Sequence, residues 1–174
     1  MSASLVVIAH NIRSIYNVGS FFRTCDGFGV DHLYLSGYTP YPRQPKDSRL
    51  AHVAERATNQ IHKTALGAEE TVPFSHYESA EELISQLRNE GYMILALEQD
   101  QRSIALADFT TERPKLALLV GEEVHGLPGD LRESCDAMLE IPMIGTKESF
   151  NVSVALGIGL YELHTHLRAI HSSP

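Results

Sequence analysis

Only two cysteines occur among the 174 residues, Cys25 and Cys135, and they fall in different segments. That is too few for a disulfide framework or a cysteine metal site, and a reducing cytoplasm is the natural setting. No apolar run approaches the roughly 20 residues needed to cross a bilayer. The opening MSASLVVIAH lacks the basic start and long apolar region of a secretory leader. The nine histidines show no ligand spacing. His164 and His166, two apart in a helical pattern, point to different faces and make a poor metal pair. Neither G-x-G-x-x-G nor a P-loop is present, so a nicotinamide or nucleoside-triphosphate site has no motif support. Positive charge is scarce too: 14 Lys and Arg stand against 22 Asp and Glu, a net charge of −8. That balance argues against a protein that coats nucleic acid indiscriminately.

What is present is an ordinary globular composition, 43% hydrophobic and 21% charged. No repeat, low-complexity tract or linker divides the chain, so residues 1–174 are expected to form one domain with a sizeable core. Charge is uneven along it. Residues 1–63 hold seven Lys/Arg against four Asp/Glu, a balance of +3, and the remaining 111 residues balance at −11. The early basic residues, from Arg13 to Lys63, can form a local anion-binding face or simply a mixed solvated surface.

In chain order, Leu5–Ala9 is a continuous apolar run, the pattern of a buried parallel strand. Val18, Phe21, Phe22, Cys25 and Phe28 follow at helical spacing, with Asn17 as candidate cap and Gly29 as the stop. Leu33–Leu35 reads as the next strand, completing a βαβ unit. The stretch GYTPYPRQPKD from Gly37 is too proline-rich for a helix or central strand. Within it Tyr38 and Tyr41 are candidates to stack on bases. Leu50, Val53, Ala54 and Ala57 suggest a short helix ending near Asn59, and Val72–Phe74 a weak strand. Residues 80–89 predict an amphipathic helix with Ser79 as cap, Glu82 at the capping-box position and Gly91 as stop. Residues 92–97 and 116–120 read as two more buried strands. The alternation predicts an α/β fold, a mostly parallel sheet flanked by helices, with ligands at the carboxyl ends of strands.

The stretch IPMIGTKESFNVSVA, Ile141 to Ala155, is central. A strand end gives way to a polar loop, and then Val152, Ala155, Leu156, Gly159, Leu160 and Leu163 mark a helix with Asn151 at its cap. A strand end, loop and helix start in so few residues suits a polar ligand held by backbone groups, or an ordinary capped helix. Two other polar, glycine-bearing loops follow strands, at Asn11–Gly19 and Gly121–Gly126.

Together these segments resemble a known family. Asn17-x-Gly19-x-x-x-Arg23, then Gly121-x-Glu123-x-x-Gly126, then Ile141-Pro142-Met143 through Ser149-x-Asn151-Val152-Ser153-x-Ala155 look like the three motifs of the SpoU/TrmH family. These are RNA ribose 2′-O-methyltransferases of the SPOUT superfamily. Order and spacing agree, over about residues 5 to 168. Two departures stand out: Phe150 replaces the usual leucine, and the second motif opens Glu122–Glu123. The resemblance implies a C-terminal trefoil knot, which general rules of chain topology would have excluded. It also implies S-adenosylmethionine as cofactor, RNA as substrate and a homodimer with each site near the subunit interface. Cofactor contacts are expected at Leu97 or Glu98, Gly121, Ile141, Met143 and Phe150. Gly121 would let the ligand approach the backbone.

The resemblance makes Arg23 the catalytic arginine. A guanidinium is a poor general base because it stays protonated. Gripping a phosphate and stabilising the developing oxyanion is therefore the favoured role, with activation of the 2′-hydroxyl as the alternative. Asn17 and Asn151 are expected to shape the site, Asn17 also orienting Arg23, with helix capping as the plain alternative. Glu123 either fixes its loop or is the ion partner of Arg23. Ser149 is a candidate hydrogen-bond partner of substrate or cofactor.

No appended RNA-binding domain is expected, so the catalytic domain itself would grip the RNA. Minimal family members lean towards tRNA, with rRNA as the alternative. A catalytically inactive RNA-binding protein of the same fold is a different class of reading, separable by loss of cofactor binding. A small-molecule hydrolase lacks a G-x-S-x-G elbow. No membrane and no metal are expected.

Overall fold

In the computed structural model, which describes residues 3–172, the apolar runs become the centre of one sheet. Its strands are β1 (Ser4–His10), β2 (His32–Ser36), β3 (Phe74–Tyr77), β4 (Met93–Leu97), β5 (Ile104–Ala105), β6 (Lys115–Val120) and β7 (Ala137–Glu140). All seven pair in parallel, in the order β3-β2-β1-β6-β4-β7-β5. β1, β6 and β4 are apolar on both faces because both are covered, the reason their sequences run without alternation.

The helices are α1 (Ile15–Phe28), α2 (Ala51–Ala65), α3 (Ala68–Thr71), α4 (Ala80–Asn89), α5 (Gly129–Glu133) and α6 (Val152–Ser172). Period-two geometry sorts the strand residues between two cores. Leu5, Val7, Ala9, Leu116, Leu118 and Val120 meet α1, α2 and α6 on one face. Val6, Ile8, Ala117 and Leu119 meet α4 and α5 on the other.

Helix α4 is as expected, with Ser79 Oγ accepting from Glu82 N at 3.1 Å and Gly91 at φ 91 closing it. Elsewhere boundaries move. Helix α1 starts two residues before Asn17, and Ser14 is its N-cap, so Asn17 does not cap it. Helix α2 runs on to Ala65 rather than stopping near Asn59. Its buried face is carried by only Ala54, Ile61 and Ala65, too sparse a stripe to read. Strand β3 begins after Pro73, which has no N–H to donate. Residues 37–47 are neither helix nor strand, as expected.

The asparagine motif owes its glycine to packing. A Cβ on Gly19 would lie 2.0 Å from Thr64 Oγ1 and 2.4 Å from the Ile61 carbonyl, so only glycine lets α1 sit this close to α2. Thr64 Oγ1 then donates to the Tyr16 carbonyl at 2.9 Å, which ties the two helices together.

Candidate functional site

A hollow of about 580 Å³ opens at the carboxyl ends of β4, β6 and β7. Small-molecule sites commonly enclose about 300–1,000 Å³. Leu97 and Glu98 border it from β4, Val120 to Gly126 from β6 and its loop, and Leu139 to Ile141 from β7. Glu148 to Val152 and Ala155 close the side where α6 begins. No Lys or Arg borders it, while Glu98, Glu122, Glu123, Glu140 and Glu148 do. Such walls favour a cationic ligand. The backbone groups of residues 142–150 find no hydrogen-bond partner among the described residues, so they are open to solvent or ligand.

The loop after β6 folds back on itself: Gly126 N donates to the Glu122 carbonyl at 2.9 Å. A Cβ on Gly121 would sit 2.7 Å from Gly126 C and 2.8 Å from Leu127 N. The missing side chain of Gly121 therefore admits its own loop, where ligand approach was the expectation. Gly126, at φ 67, lies against the Glu98 carboxylate, which accepts from Leu127 N at 2.7 Å.

That fold-back aims Glu123 at the start of α1. Its Oε2 accepts from Arg13 N at 3.1 Å, and its Oε1 from Ser14 N at 3.0 Å and Asn17 Nδ2 at 2.9 Å. Burial alone would raise this carboxyl, but the N–H groups of Arg13, Asn17 and Ser14 outweigh it and hold its pKa below the ordinary value. Asn151 Nδ2 reaches Asn17 Oδ1 at 3.4 Å. Asn151 Oδ1 accepts from Ser153 N at 2.8 Å, so Asn151 is the expected cap of α6. One chain of hydrogen bonds thus joins all three motifs: Glu123, Asn17, Asn151.

Arg23 stands apart. It is exposed, has no polar partner among the described residues, and does not border the cavity. Glu123 is not its ion partner, because its oxygens are occupied by α1. Ser149, Phe150, Ile141, Leu97, Glu98 and Gly121 border the cavity, whereas Met143 does not. Sequence patterns assigned no site role to Glu122, Glu140 and Glu148. Their only signal is position, at or just beyond strand ends. Glu122 Oε2 pairs with His125 Nδ1 at 2.8 Å, and its other oxygen with Arg13 Nη1 at 3.5 Å.

With this geometry in place, the family model described as the SpoU rRNA methylase family matches residues 4–161. The chain belongs to the SpoU family. A 23S rRNA (guanosine-2′-O-)-methyltransferase of Nitrosomonas europaea is 33% identical over 159 residues, covering 91% of this chain and 55% of that protein. The chain thus spans little more than half of that relative. An AdoMet-bound rRNA methyltransferase from Sinorhizobium meliloti superposes with a TM-score of 0.80 at 24% identity, covering 96% of this chain and 58% of that one. A chain studied for 2-OH methylation of C/U34 on tRNA superposes at 0.75 and 23% identity, covering 96% of this chain and 98% of that one. Both superpositions establish the fold, a parallel sheet flanked by helices. No described helix is long and apolar enough to cross a membrane, and no described cluster of His, Cys, Asp or Glu could hold a metal ion.

Proposed function

We propose that this SpoU-family chain transfers a methyl group from S-adenosylmethionine to the ribose 2′-hydroxyl of a nucleotide in structured RNA, in the cytoplasm. The observation that carries the reading is that two motifs far apart in sequence border one acidic cavity and that Asn17 of the first motif hydrogen-bonds to both of them. The cavity suits the cofactor. Leu97, Ile141 and Phe150 offer apolar walls, the free backbone of residues 142–150 offers donors and acceptors, and the glutamates favour a cation. When bound there, S-adenosylmethionine supplies an electrophilic methyl on a sulfonium. Glu123, Asn17 and Asn151 hold the loop and the two helix starts in fixed register around it, which is positioning by preorganised hydrogen bonds. Ser149, at the cavity edge, is placed to bond cofactor or ribose.

Arg23 does not border the cavity of its own chain, so the reading assigns it to the cavity of a second copy. Tyr16 and Arg23, seven apart, share the exposed face of α1. Val154 and Tyr161, 49% and 58% exposed, share that of α6, which packs on α1. A homodimer formed across these faces would cover that apolar surface and bring a guanidinium to clamp the phosphate and the developing oxyanion. The trefoil knot belongs to the same reading, supported by family membership.

Transfer RNA is favoured over ribosomal RNA, since the tRNA-directed chain above is matched over 98% of its length. Incubation with S-adenosylmethionine and each RNA pool, followed by digestion and mass spectrometry, tests this. A 2′-O-methylnucleoside from tRNA is the expected product. One from rRNA alone would reverse the preference, and methyl on a base would overturn the reaction.

A further inference from the structure

We propose that Tyr38 and Arg13 form a nucleotide-recognition rim beside the cavity, Tyr38 stacking on a base of the RNA and Arg13 gripping a neighbouring phosphate; this rests on the reading of RNA as substrate. The two tyrosines of the proline-rich stretch have opposite fates. Tyr41 is consumed inside its own loop, its ring stacked on His76 at 4.1 Å and capped by the Arg49 guanidinium at 3.5 Å. Tyr38 is 58% exposed and makes no ring or cation contact among the described residues.

Tyr38 is bare, yet its backbone is locked. Its N–H donates to Asn11 Oδ1 at 3.1 Å, and Asn11 itself sits at φ 55, a left-handed position that asparagine adopts more readily than most residues. The preceding Gly37 packs so tightly on that amide that a Cβ would fall 2.0 Å from Asn11 Oδ1. The following Thr39 is buried, and its hydroxyl accepts from Ile12 N at 3.0 Å and reaches the Ser36 carbonyl at 2.8 Å. An exposed aromatic side chain on a backbone fixed from both sides loses little freedom when a base lands on it.

The platform adjoins the cavity. Tyr38 N is bonded to Asn11, two residues before Arg13, and Arg13 N donates to Glu123 Oε2 at 3.1 Å, a carboxylate that borders the cavity. Arg13 is fixed by its backbone, through Glu123, while its guanidinium is 62% exposed and only loosely paired with Glu122 at 3.5 Å. A phosphate can displace that contact. Stacking also answers the net charge of −8, because it adds RNA affinity without requiring a broad basic surface.

The test is binding of fluorescein-labelled unfractionated tRNA and rRNA fragments to the full chain across a salt series, beside methyl transfer and cofactor binding. Tyr38→Ala is expected to weaken RNA binding about tenfold at every salt concentration, leaving the salt slope unchanged, while Tyr38→Phe binds like wild type. Arg13→Gln should flatten the log–log slope by about one. Cofactor affinity should hold in all three, which separates a rim effect from a damaged cavity. Wild-type RNA affinity in Tyr38→Ala, or equal loss in Tyr38→Phe and Tyr38→Ala, would overturn the platform, and an unchanged slope in Arg13→Gln would remove the phosphate grip. RNA binding that depends on Tyr38 without methyl transfer would sink the proposed reaction and leave the rim standing. A wild type that binds neither RNA would sink both.

Discussion

The Asn17 amide donates to Glu123 Oε1 at 2.9 Å across 106 residues of sequence. With Arg13 N and Ser14 N on the same carboxylate, that bond fastens the loop after β6 to the first turn of α1. Glu123→Gln keeps the shape but turns an NH2 towards a set of donors. It should cost about 1–2 kcal/mol, the usual scale for losing hydrogen bonds to a half-buried charge. Urea denaturation measures it, and methyl transfer should fall more steeply than stability.

The same carboxylate predicts an acid dependence. Its pKa in the folded protein lies below the ordinary value of 4.5, so its contribution is fully present above 4.5 and is lost as pH falls through the folded value. The urea midpoint of wild type should exceed that of Glu123→Gln by a constant amount near neutrality. The gap should close on acidification; a gap that widened would contradict the sign.

Two glycines of α1 should behave oppositely. Gly19→Ala drives a methyl group into Thr64 and the Ile61 carbonyl and should destabilise by about 1–3 kcal/mol. At Gly27 nothing lies within 4 Å of the added Cβ, so alanine there should stabilise the helix by about 0.5–1 kcal/mol. Equal effects at both would refute the close crossing of α1 and α2.

Both cysteines should be sluggish. Cys25 is buried on the apolar face of α1, and burial pushes its thiol far up. Burial, then the neighbouring Asp136, push Cys135 up to about 11. In native protein at pH 8, Cys135 should react with a maleimide roughly tenfold more slowly than a free thiol. Cys25 should react only after unfolding.

These particulars show what was legible in sequence. Strands β1 and β6 were, because burial on both faces leaves an unbroken apolar run. Helix α4 was, because Ser79 and Gly91 mark its ends. The two-residue β5 and the five-residue α5 were not, since neither is long enough to show a period. The cavity-bordering motifs were legible as polar residues at strand ends. The partners of Glu123 were not: two are backbone N–H groups, which every residue but proline carries. The placement of Arg23 outside its own cavity could not be read at all, because a spacing of six from Asn17 does not say where the side chain ends up relative to the strand ends.

The central claim is that the cavity bordered by Glu123 and Asn151, which Asn17 ties together, supports methyl transfer to RNA with the help of Arg23. The most direct measurement is transfer of labelled methyl from S-adenosylmethionine into RNA by wild type beside Arg23→Ala, with cofactor binding followed in both. Label entering RNA with wild type, at least a hundredfold less (about 2.7 kcal/mol in the barrier) with Arg23→Ala, and equal cofactor binding is the predicted result. Cofactor bound by neither protein, or equal transfer by both, would contradict it.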